Sequence, residues 1–499
     1  MSHKVDMADL KRESGVSVTQ QLVDRFSAAI ESGALEPGAK LPPTRELAAR
    51  AGVNHLTAAR VYRKLAELGY VTAQVGRGTF VRALIPASSA AQGDDWQVYA
   101  LPPEDISYSE RVLADTFALA ARDDVISLAT GWPAPSCHPT EELARITTEV
   151  FADAGGKALS YLTAEGLYDL REQVALRGRK HGHAEEADEV VITSGAQQAI
   201  ALSARAVLEP GDVAVTESPT FIGMMTAFRG TGAKLLGVPV DGEGFDVDAL
   251  ERLLARHEVK LVGLQSACQN PTGSNLSDER RRRLAELAIE RNFFILEDRV
   301  YADMRFEGPF VPGVRELAPA HVLHVNSLSK VVGGGLRCGW VAARGPVRDR
   351  IAMLKLEADF HSPTLIQYIA ARWLATGAYD RHLERTKPFY RERRDALLAA
   401  LERHLRGEYH VAVPHGGHHL WVTLNRPLDE RALFAEAARR GVIFTPGGAV
   451  TVERRSQTSF RLSFSMVEPE ELDEGVRRLA RAVREVRRRS RHAVAAPMS

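Results

Sequence analysis

Cysteine is scarce: Cys137, Cys268 and Cys338 are the only three in 499 residues. Their odd number and wide spacing fit neither a disulfide framework nor a zinc site, and they suit a reducing cytoplasm. Nowhere do about 18 uncharged apolar residues run together, so no membrane span is expected. The opening MSHKVDMADLKRESG lacks the apolar core of a signal peptide. No 20–50-residue repeat is visible. Net charge is absent too, with 64 Lys and Arg against 64 Asp and Glu. Lysine itself is rare, at 11 of those 64 basic positions, so a lysine in a special setting is informative. What remains is an ordinary globular mix, 45% hydrophobic and 26% charged, which excludes a disordered or fibrous chain. The length suggests about three domains.

Zero net charge hides an asymmetry. Residues 1–82 carry 12 Lys and Arg against 8 Asp and Glu, a net +4; the remainder carries 52 against 56, a net −4. Residues 83–105 (ALIPASSAAQGDDWQVYALPPED) have neither helical nor strand periodicity and read as a linker. The domain bounds drawn from these features are 14–82, a linker at 83–105, and 106–491.

Three helical patterns fall between 18 and 68. The first, Val18–Ser32, spaces Leu22, Phe26, Ala29 and Ile30 at helical intervals. The second follows Leu41-Pro42-Pro43, with Thr44 as expected N-cap, and stops at Gly52. The third starts near Asn54 and carries Val61, Leu65 and Leu68 inward. Strands at Tyr70–Ala73 and Thr79–Arg82 follow, joined through Gly76-Arg77-Gly78. Helix, short turn, helix, then a two-stranded wing is the order of a winged helix-turn-helix. Its third helix enters the major groove, so His55, Thr57 and Arg60 lie near base edges. Arg45, at the start of the second helix, reaches a backbone phosphate through its charge and the helix dipole. Arg77, between two glycines, can lie along a groove. A small helical cap with a plain hairpin gives the same elements without DNA.

From about 106 the texture is α/β. Short β-rich runs, Glu189–Thr193, Val213–Thr216, Lys260–Gln265, Phe293–Glu297 and His321–Asn326, alternate with helical stretches such as Ser277–Arg291. This predicts a mostly parallel sheet covered on both faces. Residues 388–491 read as a smaller α/β subdomain with antiparallel strands. Its Arg-rich closing helix, Glu470 to Arg491, reads as a solvated amphipathic face.

Chemistry-bearing residues cluster just after the predicted strands. Lys330, in Ser327-Leu328-Ser329-Lys330, sits at a strand end beside small hydroxyls and can form a Schiff base with an aldehyde. Ser-x-x-Lys also occurs in β-lactam-recognising enzymes. A Rossmann reading of Gly333-Gly334-Gly335 fails, since no glycine falls at 338. Asp298, after the run FFILE, points into the crevice where ligands bind and can pair with a protonated pyridine nitrogen. Tyr301 can reach a ring hydroxyl. Asn270, in Asn270-Pro271-Thr272-Gly273, offers an amide donor, although a plain Asn-Pro turn explains that tetrapeptide as well. Ala196 and Gln197, opening a helix after Ser194-Gly195, make a phosphate cradle to which Ser327 and Arg337 add contacts. Phe221 can stack on a ring or sit in the core. Lysine, ring-nitrogen acid, phosphate cup, stacking aromatic and hydroxyl partners together describe a pyridoxal-phosphate site.

Two resemblances sharpen this reading. Leu35 to Ala48, Thr57 to Tyr62, Leu68-Gly69-Tyr70-Val71 and Gly76 to Val81 resemble the winged helix-turn-helix of the GntR family. The order of the cofactor motifs over roughly 106–490 resembles fold-type-I aminotransferases, with a large parallel-sheet domain and a small subdomain. That resemblance implies that Lys330 carries the cofactor, Asp298 meets its ring nitrogen and Asn270 and Tyr301 meet its ring oxygen. It implies that Phe221 stacks on the ring and that Ala196, Gln197, Ser327 and Arg337 hold the phosphate. Tyr161, in Ser160-Tyr161-Leu162, matches a tyrosine that reaches the partner subunit's cofactor phosphate. Arg461, in Phe460-Arg461-Leu462-Ser463, matches the arginine that clamps a substrate α-carboxylate. Gly334-Gly335 stands where that family has Pro-Gly. Joined by a linker, the two parts resemble the MocR subgroup of GntR regulators. That implies a cytoplasmic homodimer which binds operator DNA and pyridoxal 5'-phosphate and senses an amine or amino acid. A working aminotransferase with an accessory DNA-binding module is the alternative.

Overall fold

Leu22, Val23, Phe26 and Ile30 share one face of α1 (Val18–Glu31) and bury it against α2 (Thr44–Ala51) and α3 (His55–Glu67). In this computed structural model the described residues are 17–31, 34–35, 38–68, 70–74, 78–81, 107–181, 185–453 and 457–495. The linker 83–105, Arg77 and the outermost bounds drawn at 14, 82 and 106 lie outside them. The chain divides into two units, Met1–Ile106 and Ser107–Ser499.

In the first unit, strands β1 (Val71–Gln74) and β2 (Gly78–Val81) pair antiparallel, Val71 opposite Val81. The loop before α2 docks on this hairpin, where the Leu41 N–H donates to the Thr79 carbonyl at 2.8 Å. The Asn54 side chain caps α3 by accepting from the Thr57 N–H at 2.7 Å. Two expectations change. Thr44 is the first helical residue of α2 rather than its cap, because Pro43 holds the extended position ahead of it, and no side chain caps this end. Leu68 is 54% exposed, not inward, because α3 ends at Glu67 and its core face is already filled by Ala58, Val61 and Leu65.

The second unit holds an eight-stranded sheet. β3 (Ile126–Ser127) lies outside it. Its strands are β4 (Val190–Thr193), β5 (Val213–Ser218), β6 (Lys234–Asp241), β7 (Gly244–Phe245), β8 (Val259–Leu264), β9 (Phe294–Asp298), β10 (Val322–Ser327) and β11 (Gly339–Ala342). Their order is 4-11-10-9-8-5-6-7. Strands β4, β5, β6, β8, β9 and β10 run one way, and β11 and β7 run against them. Alternation separates the two faces: Leu261, Leu296 and Leu323 enter one core, and Val262, Ile295 and Val322 the other. Each predicted strand is present, shifted by at most two residues at an end.

The small subdomain carries an antiparallel sheet of β12 (Tyr409–Val411), β13 (His419–Leu424), β15 (Thr445–Pro446) and β16 (Ser459–Ser463). The helix Ala378–Leu405 runs straight through the expected boundary at 388, and the closing helix, Pro469–Ala495, packs on it. The start of the unit also belongs here. β3 pairs parallel with β14 (Val442–Ile443), and the Tyr108 hydroxyl donates to Glu430 at 3.1 Å. Between them lies the helix Tyr108–Ala120, opened by a capping box of Ser107 and Glu110.

Asn54→Ala removes the cap of α3 at a cost of about 1 kcal/mol. Amides in the first turn of α3 should then exchange about fivefold faster with solvent deuterium, while those of α1 stay unchanged. Equal acceleration across all three helices would mean that the cap stabilises the whole module instead.

Candidate functional site

Five parallel strands deliver the site at their C-terminal ends. Asp298 ends β9 and Ser327 ends β10, with Tyr301 and Lys330 three residues beyond each. β8 leads into Gln265 and Asn270, β5 into Phe221, and β4 into the helix Ala196–Val207. This is the edge where open α/β sheets bind ligands.

Nine of the ten expected cofactor residues line one cavity of about 690 Å³: Ala196, Gln197, Phe221, Asn270, Asp298, Tyr301, Ser327, Lys330 and Arg337. Tyr161 stands apart, 86% exposed, with its ring edge-on to His361. Arg461 lines an adjoining cavity that shares Asn270, Tyr301 and Lys330.

The Asp298 carboxylate accepts from the Gln265 side-chain amide at 2.7 Å and the Val300 N–H at 3.2 Å. Burial pushes its pKa up to about 6. Lys330 Nζ donates to the Gly131 carbonyl at 3.0 Å and lies 5.5 Å from the Tyr301 ring centroid. Burial, then the charge of Arg461, pulls Lys330 down to about 8. It is therefore a nucleophile at mildly alkaline pH. Burial also raises the Tyr301 phenol, whose hydroxyl meets His419 Nε2 at 3.0 Å.

Arg461 reaches across from β16. It donates to Asn270 Oδ1 at 2.9 Å, to Thr445 Oγ1 at 3.0 Å and to the Ala129 carbonyl. Its Nε has no partner although buried. At the helix N-terminus, Gly195 has φ +88°, and a Cβ there would meet the Arg337 guanidinium at 2.6 Å. Arg337 donates to the Ser194 carbonyl at 2.6 Å, and Gln197 to the Gly223 carbonyl at 3.0 Å. The result is a cationic cup over free helical N–H groups, suited to a phosphate.

Sequence reasoning missed several neighbours. Gln265 orients Asp298, and Glu217, pushed well up by burial, takes the Gln265 backbone N–H at 3.1 Å. Trp132 lines both cavities. His418 and His419 are buried and held neutral, mainly by burial. None of these carries a spacing signal. The helix Tyr108–Ala120, which walls the second cavity, did carry one, in Ser107-x-x-Glu110.

In the first unit Arg45 is exposed in the first turn of α2, and Thr57 and Arg60 lie on the N-terminal half of α3. Lys64 is engaged with Gln20.

Fold and site together define a helix-turn-helix module followed by an aminotransferase-type domain. Residues 18–81 match the bacterial regulatory proteins of the gntR family, and residues 123–479 match aminotransferase class I and II. The chain is 30% identical to the HTH-type transcriptional regulator TauR of Rhodobacter capsulatus, over 94% of this chain and 97% of TauR. It is 34% identical to aromatic-amino-acid aminotransferase 1 of Thermococcus litoralis, over 75% of this chain and 91% of that enzyme. The crystal structure of LysN, the α-aminoadipate aminotransferase of Thermus thermophilus complexed with N-(5'-phosphopyridoxyl)-L-leucine, superposes with a TM-score of 0.70. It is 33% identical and covers 75% of this chain and 95% of LysN. The chain belongs to the aminotransferase class I and II family and, with regulator relatives that cover 93–95% of it, to the MocR subgroup of GntR-type regulators.

The lowered pKa of Lys330 predicts its reactivity. In competitive acetylation read by mass spectrometry, Lys330 should reach half-maximal reactivity near pH 8, against about 10.4 for ordinary lysines. A midpoint at the ordinary value would mean that burial does not hold the amine neutral.

Proposed function

We propose that this chain is a transcription regulator whose second unit binds pyridoxal 5'-phosphate and senses an amino acid or amine. The observation that carries the reading is the convergence of nine separately placed residues on one cavity. They fit the group: Lys330 for the aldehyde carbon, Asp298 for the ring nitrogen, Asn270 and Tyr301 for the ring oxygen, Phe221 for the ring face. The Gly195 cradle with Ala196, Gln197, Ser327 and Arg337 suits the phosphate. When bound, pyridoxal phosphate supplies an aldehyde and an electron-withdrawing ring.

The chain's own groups do the rest. Lys330 Nζ, near its pKa at neutral to alkaline pH, gives and takes a proton without a large energetic penalty. The Asp298 carboxylate, desolvated and oriented by Gln265, is ready for a cationic partner. Arg461 offers a planar fork to a carboxylate, at the cost of its present contacts to Asn270 and Thr445. Tyr161 stands exposed, as a residue offered to a second subunit in a homodimer. Arg45, Thr57, Arg60 and Arg77 serve double-stranded operator DNA, and the protein works in the cytoplasm.

Full-length protein with pyridoxal phosphate should show a visible absorbance band that Lys330→Ala removes. Arg461→Ala should keep the band and weaken amino-acid binding about 10- to 100-fold, the loss of one charge-assisted pair. Loss of the band in that variant would move Arg461 into the cofactor's own site.

DNA binding is tested by footprinting full-length protein on its own promoter region. Arg45→Ala should weaken protection on all sequences alike and lower the log–log salt slope by about 0.9. Changes at Thr57 or Arg60 should also alter the preferred sequence. No protected site at low salt would favour the second reading, a working aminotransferase. That reading draws on the presence of Lys330, Asp298, Asn270 and Arg461, and turnover with an amino donor and a keto acid tests it.

A further inference from the structure

We infer that the effector is an α-amino acid with a large uncharged side chain, aliphatic or aromatic, which packs against Leu113, Phe117 and Trp132. The inference rests on the roles given above to Lys330 and Arg461. The enzymes related to this chain leave the side chain open, since one is named for aromatic amino acids and another for α-aminoadipate.

The second cavity, also about 690 Å³, shares Trp132, Phe221, Asn270, Tyr301 and Lys330 with the first. Val112, Leu113 and Phe117 of the helix Tyr108–Ala120 form one wall, and Ile222 and Val450 add further apolar surface. Among the described residues that line it there are two cations, Lys330 and Arg461, and no Asp or Glu. Both cations are committed, one to the cofactor and one to the α-carboxylate. His419, also in the lining, is held neutral by burial.

An acidic side chain therefore meets no spare cation, and a basic one meets no carboxylate. Either charge is left unpaired in a partly desolvated place, and that is costly. Thr116, Thr130 and Thr445 offer hydroxyls without charge. Meanwhile Leu113, Phe117 and Trp132 are 36%, 48% and 45% exposed. The Phe117 and Trp132 rings stack with centroids 5.7 Å apart. A side chain the size of leucine or phenylalanine covers this apolar surface, whereas alanine is too short to do so.

The test is an absorbance titration of full-length protein loaded with pyridoxal phosphate, using L-phenylalanine, L-leucine, L-alanine, L-aspartate and L-lysine. Phenylalanine or leucine should bind about 10- to 100-fold more tightly than alanine, the effect of burying one such side chain. Aspartate and lysine should bind more weakly than alanine. Phe117→Ala should narrow the gap between phenylalanine and alanine while the cofactor band persists. Leu113→Arg, at the exposed edge, should bring aspartate above alanine by supplying the missing cation. Tighter binding of aspartate or lysine than of leucine by the unaltered protein overturns the inference and leaves the cofactor reading intact. Absence of the band, or a band that no amino acid shifts, overturns both.

Discussion

Burial of the Asp298 carboxylate at the end of β9 is the constraint to which the rest of the site answers. A carboxylate removed from water must be met by donors, and Gln265 and the Val300 N–H meet it. Gln265 is itself held. Its backbone N–H goes to Glu217, and its side-chain oxygen accepts from the Asn270 N–H at 2.8 Å. The Asn270 side chain then accepts from Arg461. An unbroken series of hydrogen bonds thus runs from β9 through the loop after β8 to β16 of the small subdomain. The two layers of the unit are registered to each other at the place where chemistry would occur.

The same burial acts on the cations. Lys330 and Arg461 both lose stability in the charged form as they leave water, and each depresses the ionisation of the other or of its neighbours. Asp298 counters this for Lys330 alone. With its folded pKa near 6, above the 3.8 of an unfolded aspartate, Asp298 binds more protons folded than unfolded between those values. Its contribution to stability is therefore full below pH 3.8 and falls as pH rises through 6. A cation placed against Asp298 removes that loss. The protonated ring nitrogen of the proposed cofactor would be such a cation, and Asp298 would then link cofactor binding to stability at neutral pH.

The residues proposed to act through their own chemistry, and their convergence on one cavity, were legible in the sequence. Each of Lys330, Asp298, Tyr301 and Asn270 follows a β-rich run, and parallel strands bring such positions to one edge. The helical spacing of Leu22, Phe26, Val61 and Leu65 likewise exposed the core of the first unit. Groups that act through position were not legible. Gln265 and Trp132 look like any strand-end glutamine and any loop tryptophan until the sheet and the small subdomain close on them. The pair His418-His419 falls at the start of β13, where alternation says only that one of two neighbours faces inward; both do. The small subdomain was misjudged at its beginning because strand pairing of Ile126 with Val442 joins residues over 300 positions apart, and no local pattern reports such a contact. Tyr161 lies exposed outside the cavity, and its proposed role would be played on a second copy of the chain.

The helix Tyr108–Ala120 has two properties that bear on regulation. It walls the cavity assigned to the effector, and it is the first described element after the segment that joins the two units. Ten positions separate its cap, Ser107, from Phe117. The capping box fixes both hydrogen-bonding ends of Ser107, so a shift of this helix is carried to its first residue rather than absorbed by fraying. On the proposed function, a ligand that packs on Phe117 would act on the chain close to residues 83–105 without needing any change in the large sheet. Such a ligand moves an equilibrium only as far as its affinities for two positions of the helix differ. By linkage, a given factor of change in DNA affinity caused by the effector is returned as the same factor in effector affinity when DNA is bound. On the proposed function, a side chain too short to reach Phe117 would occupy the site through Arg461 and Lys330 without that contact, and would leave the DNA-binding equilibrium where it was.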